Sequence, residues 1–227
     1  MYVPNFVPEP LEVPGNVTLL SWRERLRFVK RVIGTHFFSV LAIWGLSLVL
    51  RPEVRQLWAW GAAFGSLLLL DMVRIARRGR TDEAALSIAF SPLALVTLAV
   101  AFGASAREGW PVWALPVAPA MLFLYAWIAD GDFSFVGANL LAGIGSLVTV
   151  SSICLGVHSA KGQAAWAILF ALGYLTYIVY DLASLQSRRR ESETGGAVVD
   201  LYRDVFNIFG YVLRVIAHWR RHRIWSS

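Results

Sequence analysis

The side chains of this chain that could do chemistry are few, and apolar sequence surrounds them. Asp181 follows the aromatic, apolar run of residues 173–179 and Tyr180, and a basic run, Arg188-Arg189-Arg190, comes shortly after. Asp204 sits between Leu201-Tyr202-Arg203 and Val205-Phe206, with Ile208-Phe209 beyond. Asp200, Asp204, Asn207 and Tyr211 recur at i, i+4, i+7 and i+11, which predicts one polar stripe of a helix beside the apolar stripe of Leu201, Val205, Ile208 and Val212. A polar stripe on a membrane helix faces the bundle interior or water, because an ionisable group in hydrocarbon is costly. Two carboxylates brought together in a poorly hydrated site cannot both ionise cheaply, and they titrate as a unit. Such a pair, Asp181 with Asp204, can share a proton, hold a cation weakly or pair with a cationic side chain. The nearest candidates for that partner are Arg203 on the same helix and Arg74, Arg77 and Arg78 at the same membrane face. Because Ca²⁺ takes about six to eight oxygens, two carboxylates make only a weak Ca²⁺ site, completed by water and carbonyls. An ion that must leave again suits such a site.

Other candidates point to structure. Asp71 and Arg74 have the i, i+3 spacing of a helical pair, and Asp71 is the alternative acid for a central site. Asp130-Gly131-Asp132 predicts a turn, with Asp132 near a helix N-cap. His218 and His222 are four apart, in an arginine-rich tail with no carboxylate beside them, and His36 and His158 are isolated. There is no phosphate-binding glycine loop, nucleophile elbow or cysteine cluster, so no enzyme activity, cofactor or tightly held metal is expected. Cys154 is single, which excludes an intramolecular disulfide.

These residues need a scaffold, and composition says which kind. Of the 227 residues 57% are hydrophobic and 16% charged, against about 25% charged in soluble domains, and the mean hydropathy is +0.56. That is the composition of a multi-pass membrane protein. The net charge of +6 resides in short arginine blocks between apolar runs, as orientation signals do, so nucleic acid is not an expected partner. A helix needs about 20 apolar residues to cross the hydrocarbon. Spans are predicted at 32–50, 57–73, 84–104, 110–129, 135–157 and 164–182. A seventh, at 197–219, is weakened by its own Asp200, Arg203, Asp204 and Arg214. The expected fold is an all-α bundle of seven transmembrane helices over residues 23–219, flanked by a flexible Pro-rich arm (1–22) and a basic tail (220–227). Lys and Arg concentrate before the first span, after the second and after the sixth, which places the N-terminus in the cytoplasm. Tryptophans 58, 60, 110, 113, 219 and 225 fall near span ends, where indoles anchor in the interface. Gly61–Gly65 and Gly143-Ile144-Gly145 predict close helix–helix approach.

Three stretches together resemble the transmembrane Bax inhibitor motif family, and especially its bacterial calcium-leak members. Asp132-Phe-Ser-Phe-Val-Gly-Ala-Asn-Leu140 is similar to the family's Asp-Leu-Ser-Phe-Leu segment opening helix five. Tyr177-Ile-Val-Tyr-Asp181-Leu resembles its Tyr-Ile-Leu-Tyr-Asp-Leu ending of helix six. Leu201-Tyr-Arg-Asp204-Val-Phe-Asn207-Ile-Phe209 is similar to its Leu-Tyr-Leu-Asp-Phe-Ile-Asn-Leu-Phe in helix seven. The resemblance implies that the seventh helix is central and that the protein is a pH-sensitive calcium leak of the inner membrane. Asp181 and Asp204 would be its proton sensor and weak Ca²⁺ site, with Tyr180, Asp200, Asn207 and Asp71 in support. It further implies a gate lock by an arginine at the end of helix two, a place held here by Arg77 or Arg78. Two positions depart from the family: Gly65-Ser66-Leu67 replaces a helix-two glutamate, and Arg203 replaces an apolar residue. The alternative reading is a non-transporting protein that modulates a membrane-bound protease through its N-terminal arm. An intramembrane aspartyl protease is disfavoured, since its second motif is Gly-x-Gly-Asp and this chain has Leu-Tyr-Arg-Asp204.

Overall fold

The structure, a computed structural model, describes residues 13–50, 53–77, 80 and 82–204. Among them are seven α-helices joined by short turns and no strand: α1 Trp22–Val49, α2 Gln56–Ala76, α3 Glu83–Arg107, α4 Val117–Ala129, α5 Phe135–Gly156, α6 Lys161–Arg188 and α7 Thr194–Arg203. Six are long and apolar enough to span a membrane, α4 together with the turns that flank it. Large apolar side chains such as Leu57, Met72, Ile128 and Leu140 are exposed around the bundle, which suits a surface solvated by lipid tails. Residues beyond Asp204, among them Asn207, the histidines at 218 and 222 and the basic tail, lie outside the described part.

Helix boundaries differ from the hydropathy expectation in ways that place the site. α1 begins ten residues before the predicted span, because Ser21 and Glu24 form a capping box ahead of the basic first turns. α6 runs on to Arg188, six residues past the predicted end, so the polar segment Ala183–Ser187 is helical. The N-cap of α5 is Ser134, whose hydroxyl accepts from the Gly137 N–H at 2.9 Å, while Asp132 belongs to the preceding 3-10 turn. α3 carries Pro92 in its interior. The proline leaves the Ile88 carbonyl without its usual donor, and the Ser91 hydroxyl donates to that oxygen at 2.8 Å. Replacements of this kind make prolines tolerable in membrane helices.

Residues 13–20 fall within the segment expected to be a flexible arm, yet they are packed against the bundle. Val13–Leu20 docks across the end of α6: the Val17 N–H donates to the Arg189 carbonyl at 3.0 Å and the Val13 N–H to the Ser187 carbonyl at 3.2 Å. Val17 is wholly buried. Backbone donors that a proline-rich segment cannot use internally are here used against another helix.

The small-residue patterns also sort differently. Among the described residues nothing lies within 4 Å of a Cβ built on Gly61 or Gly65, so that motif brings no described helix close. Gly145 packs against Met121 of α4, as its pattern predicts, and among the described glycines the tightest approach to another helix's backbone is at Gly103 on α3. A Cβ there would lie 2.2 Å from the Leu50 carbonyl oxygen and 3.0 Å from that of Ser47. Both atoms are backbone at the end of α1 and cannot swing away. Gly103→Ala is therefore expected to destabilise the bundle by about 1–3 kcal/mol, the usual cost of overpacking, read as a fall in melting temperature in detergent. An unchanged melting temperature would show that the α1–α3 contact gives way.

A buried network of arginines and acids

α2 ends, α3 begins, α6 ends and α7 begins at one end of the bundle, and α7 packs against α1, α2, α3 and α6. The ionisable residues gather there. Asp181, two turns before the end of α6, meets Arg188 of the same helix: Arg188 Nη2 donates to Asp181 Oδ1 at 2.6 Å, and Ser184 Oγ donates to the same oxygen at 3.1 Å. The reach is natural, because side chains lean toward a helix's N-terminus and Arg188 therefore points back along α6. Arg188 Nη1 donates to Asp204 Oδ2 at 2.5 Å. One guanidinium thus bridges both aspartates. From the other side Arg74, near the end of α2, donates to Asp204 Oδ1 at 2.7 Å. Asp181 is 5% exposed and Asp204 2%.

A second group adjoins the first. Arg189 donates to Asp200 from Nε at 2.6 Å and from Nη2 at 2.9 Å, and to Glu83 Oε2 from Nη1 at 2.7 Å. Arg203, with no exposed surface, donates to Glu83 Oε1 at 2.9 Å, to Asp200, and to Ser87 Oγ at 3.1 Å. Ser87 in turn donates to Glu83 one turn earlier, at 3.0 Å. Glu83 lies in the first turn of α3, where the helix dipole favours an anion. Burial works against charge on Arg189, but the hydrogen bonds and fields of Asp200 and Glu83 outweigh it and raise its pKa above the usual arginine value.

The network is balanced in two halves: Asp181 and Asp204 with Arg74 and Arg188, Glu83 and Asp200 with Arg189 and Arg203. Arg74, 3.8 Å from Asp200, links them. The halves differ in access to water. The Arg74 side chain keeps 26% of its surface exposed, whereas the side chains of Asp200 and Arg203 keep none. Asp181 Oδ2 is buried without a hydrogen-bond partner among the described residues, so the first half has an acceptor to spare.

The sequence-derived candidates fall into place unevenly. Asp181, Asp204, Asp200 and Arg203 come together. Arg77, expected as a lock, instead approaches Asp82 at 3.5 Å on a water-exposed surface. It is the C-cap residue of α2, so its side chain leaves where the chain turns, and Arg74 one turn earlier holds the face toward α7. Arg78 and Asn207 lie outside the described residues. Asp71 is half-buried and forms no ion pair with Arg74, whose guanidinium is turned to Asp204. Tyr180 is 53% exposed; it is Tyr177, a turn before Asp181, that faces inward, its hydroxyl donating to the Leu201 carbonyl at 3.0 Å. As for Ca²⁺, three of the four Asp181 and Asp204 oxygens accept from guanidinium groups in this arrangement. An ion would have to displace an arginine to be held there.

A many-helix membrane protein with a charge-balanced arginine–carboxylate network at one end of its spans is the class that fold and site define. Within it, the chain belongs to the Bax inhibitor-1-like family: the family model "Inhibitor of apoptosis-promoting Bax1" matches residues 27–221. It is also similar to protein lifeguard 4 of Mus musculus, 32% identical over 95 residues, which are 42% of this chain and 40% of that protein. The match therefore spans less than half of that relative's length. No solved structure matches the chain.

Proposed function

We propose that this protein is a pH-sensitive passive cation leak, with Ca²⁺ as the favoured cargo, gated by Asp181 and Asp204. The observation that carries the proposal is the Arg188 clamp, a single guanidinium held between the two aspartates. In this reading the arrangement described above is the closed state, and Arg188 and Arg74 occupy the place a passing cation would need. The seventh helix forms the centre of the bundle, the N-terminus is cytoplasmic, and the membrane is the inner membrane of the cell. The protein is a conduit and not an enzyme.

The sign of the pH dependence follows from the pairing. Charge-assisted bonds to Arg188 require ionised carboxylates. The clamp is complete at alkaline pH and is lost as pH falls and either aspartate takes a proton, so acidification opens the leak by shifting an existing equilibrium. Ca²⁺, K⁺ and Na⁺ flux from liposomes across a pH series tests this. Asp181→Asn and Asp204→Asn, which hold each site in a neutral form, are expected to abolish the pH response and leave flux at the acid level. Two variants that titrate like the parent would remove these residues from the sensor.

A further inference from the structure

The clamp leaves unused the partly buried polar groups that lie deeper along the same helix face. On α6, Tyr174, Tyr177, Asp181, Ser184 and Arg188 follow one another at spacings of three and four, a single polar stripe on a spanning helix. Tyr174 lies two turns, roughly 10 Å by helical rise, beyond Asp181. There it meets His36 of α1, 4% exposed, whose Nε2 lies 2.5 Å from the Tyr174 hydroxyl. The Tyr202 ring of α7 packs on His36 at 5.0 Å between centroids, and the Tyr202 hydroxyl is 2.5 Å from Ser39 Oγ. The titratable side chains facing His36 are thus Tyr174 from α6 and Tyr202 from α7. His36 Nδ1 is buried and has no hydrogen-bond partner among the described residues.

A spanning bundle gains nothing in stability from a polar layer that apolar side chains would fill as well, and an unsatisfied ring nitrogen is costly in a dry core. The cost falls if water reaches the nitrogen. Three helices contribute to this layer, and they include both carriers of the gating aspartates, α6 and the Asp204 end of α7.

We propose that His36, Ser39, Tyr174 and Tyr202 form an inner constriction of the same route, a hydrogen-bonded imidazole–hydroxyl plug that a permeating cation and its water must part. The inference rests on the leak reading. It adds a second, uncharged barrier, about two turns along α6 from Asp181, with the Ser39–Tyr202 and His36–Tyr174 bonds as its closures.

Thiol labelling tests it without relying on flux. In a Cys154→Ala background, Ser39→Cys presents a near-isosteric thiol to the layer, and Phe38→Cys presents one at the same depth on the outer face, where Phe38 is 62% exposed. With a small, cationic, water-soluble methanethiosulfonate at the pH of greatest leak, Ser39→Cys is expected to react at least roughly tenfold faster than Phe38→Cys. Its modification is expected to block flux. Equal rates would overturn the proposal, and so would fast labelling that leaves flux unchanged. Fast, blocking modification together with aspartate variants that keep the parent's pH response would retain the constriction and reject the gate. A parent chain that passes no ion overturns both.

Discussion

Arg188→Gln is expected to fold and to leak at every pH. Glutamine keeps most of the side-chain volume but supplies no charge and only one amide, so it cannot hold Asp181 Oδ1 and Asp204 Oδ2 at once, as Arg188 does at 2.6 and 2.5 Å. Asp204 retains Arg74 at 2.7 Å, which is why the fold should survive; among the described side chains Asp181 retains only Ser184. A hydrogen bond to a charged group is worth about 1.5–3 kcal/mol. If that energy separates closed from open, its loss shifts the ratio roughly 10- to 150-fold toward open. Flux at alkaline pH should therefore rise by more than tenfold, while flux at acid pH, where the clamp is already released, should change little. Arg188→Lys should fall between, since one compact ammonium cannot reproduce a planar fork across two acids. An Arg188→Gln protein as tight as the parent at alkaline pH would show that the clamp is not the closure.

How far the site was legible depends on which residues carried the signal. Asp181 and Asp204 stood out because acids inside apolar runs are expensive, and that argument needs no register. Arg188 and Arg189 are visible as residues, yet hydropathy leaves them in a basic run outside the sixth span, because apolar sequence stops at Leu182. The helix in fact runs on to Arg188, and only a helix brings that side chain back over Asp181. Glu83 is hidden for a related reason: nothing about an acid next to the arginine block after α2 signals burial, although it is 8% exposed. Its cue was Ser87, one turn later on the same face. Arg77 and Arg74 differ by less than one turn, and which of them faces α7 is a matter of helix phase that a count of loop charges does not contain. The start of α1 was readable in principle from Ser21-x-x-Glu24, a capping box, but a search for hydrocarbon-crossing length begins at the first long apolar run. The pair Gly61 and Gly65 shows the limit of motif reasoning. Small residues permit a close approach, and nothing in their spacing says what will approach.

The inner half of the network should behave in the opposite way to the clamp, failing as structure before it fails as a gate. Arg203 has no exposed surface and donates to Glu83, Asp200 and Ser87, and at 3.4 Å to the Leu70 carbonyl. It thereby ties α7 to both α2 and α3. In Arg203→Met the apolar stem is kept but the charge is gone, and the two carboxylates share Arg189, with only the more distant Arg74, 3.8 Å from Asp200, beside them. Removing one partner of a buried ion pair costs about 3–5 kcal/mol, because the remaining charge stays buried without compensation. Against a total stability of about 5–15 kcal/mol that is enough to reduce folded yield sharply and to lower the melting temperature in detergent. Combining Arg203→Met with Glu83→Gln removes one charge of each sign. That double variant should be more stable than Arg203→Met alone, a non-additivity that a mere packing defect at Arg203 would not give. If the two substitutions instead add, Arg203 acts through its volume, and the division of the network into a fixed inner rivet and a releasable outer clamp fails with it. The division has a physical basis in solvent access: the clamp includes the partly hydrated Arg74, with 26% of its side chain exposed, and protons must arrive through water, whereas no side-chain surface of Asp200 or Arg203 is exposed.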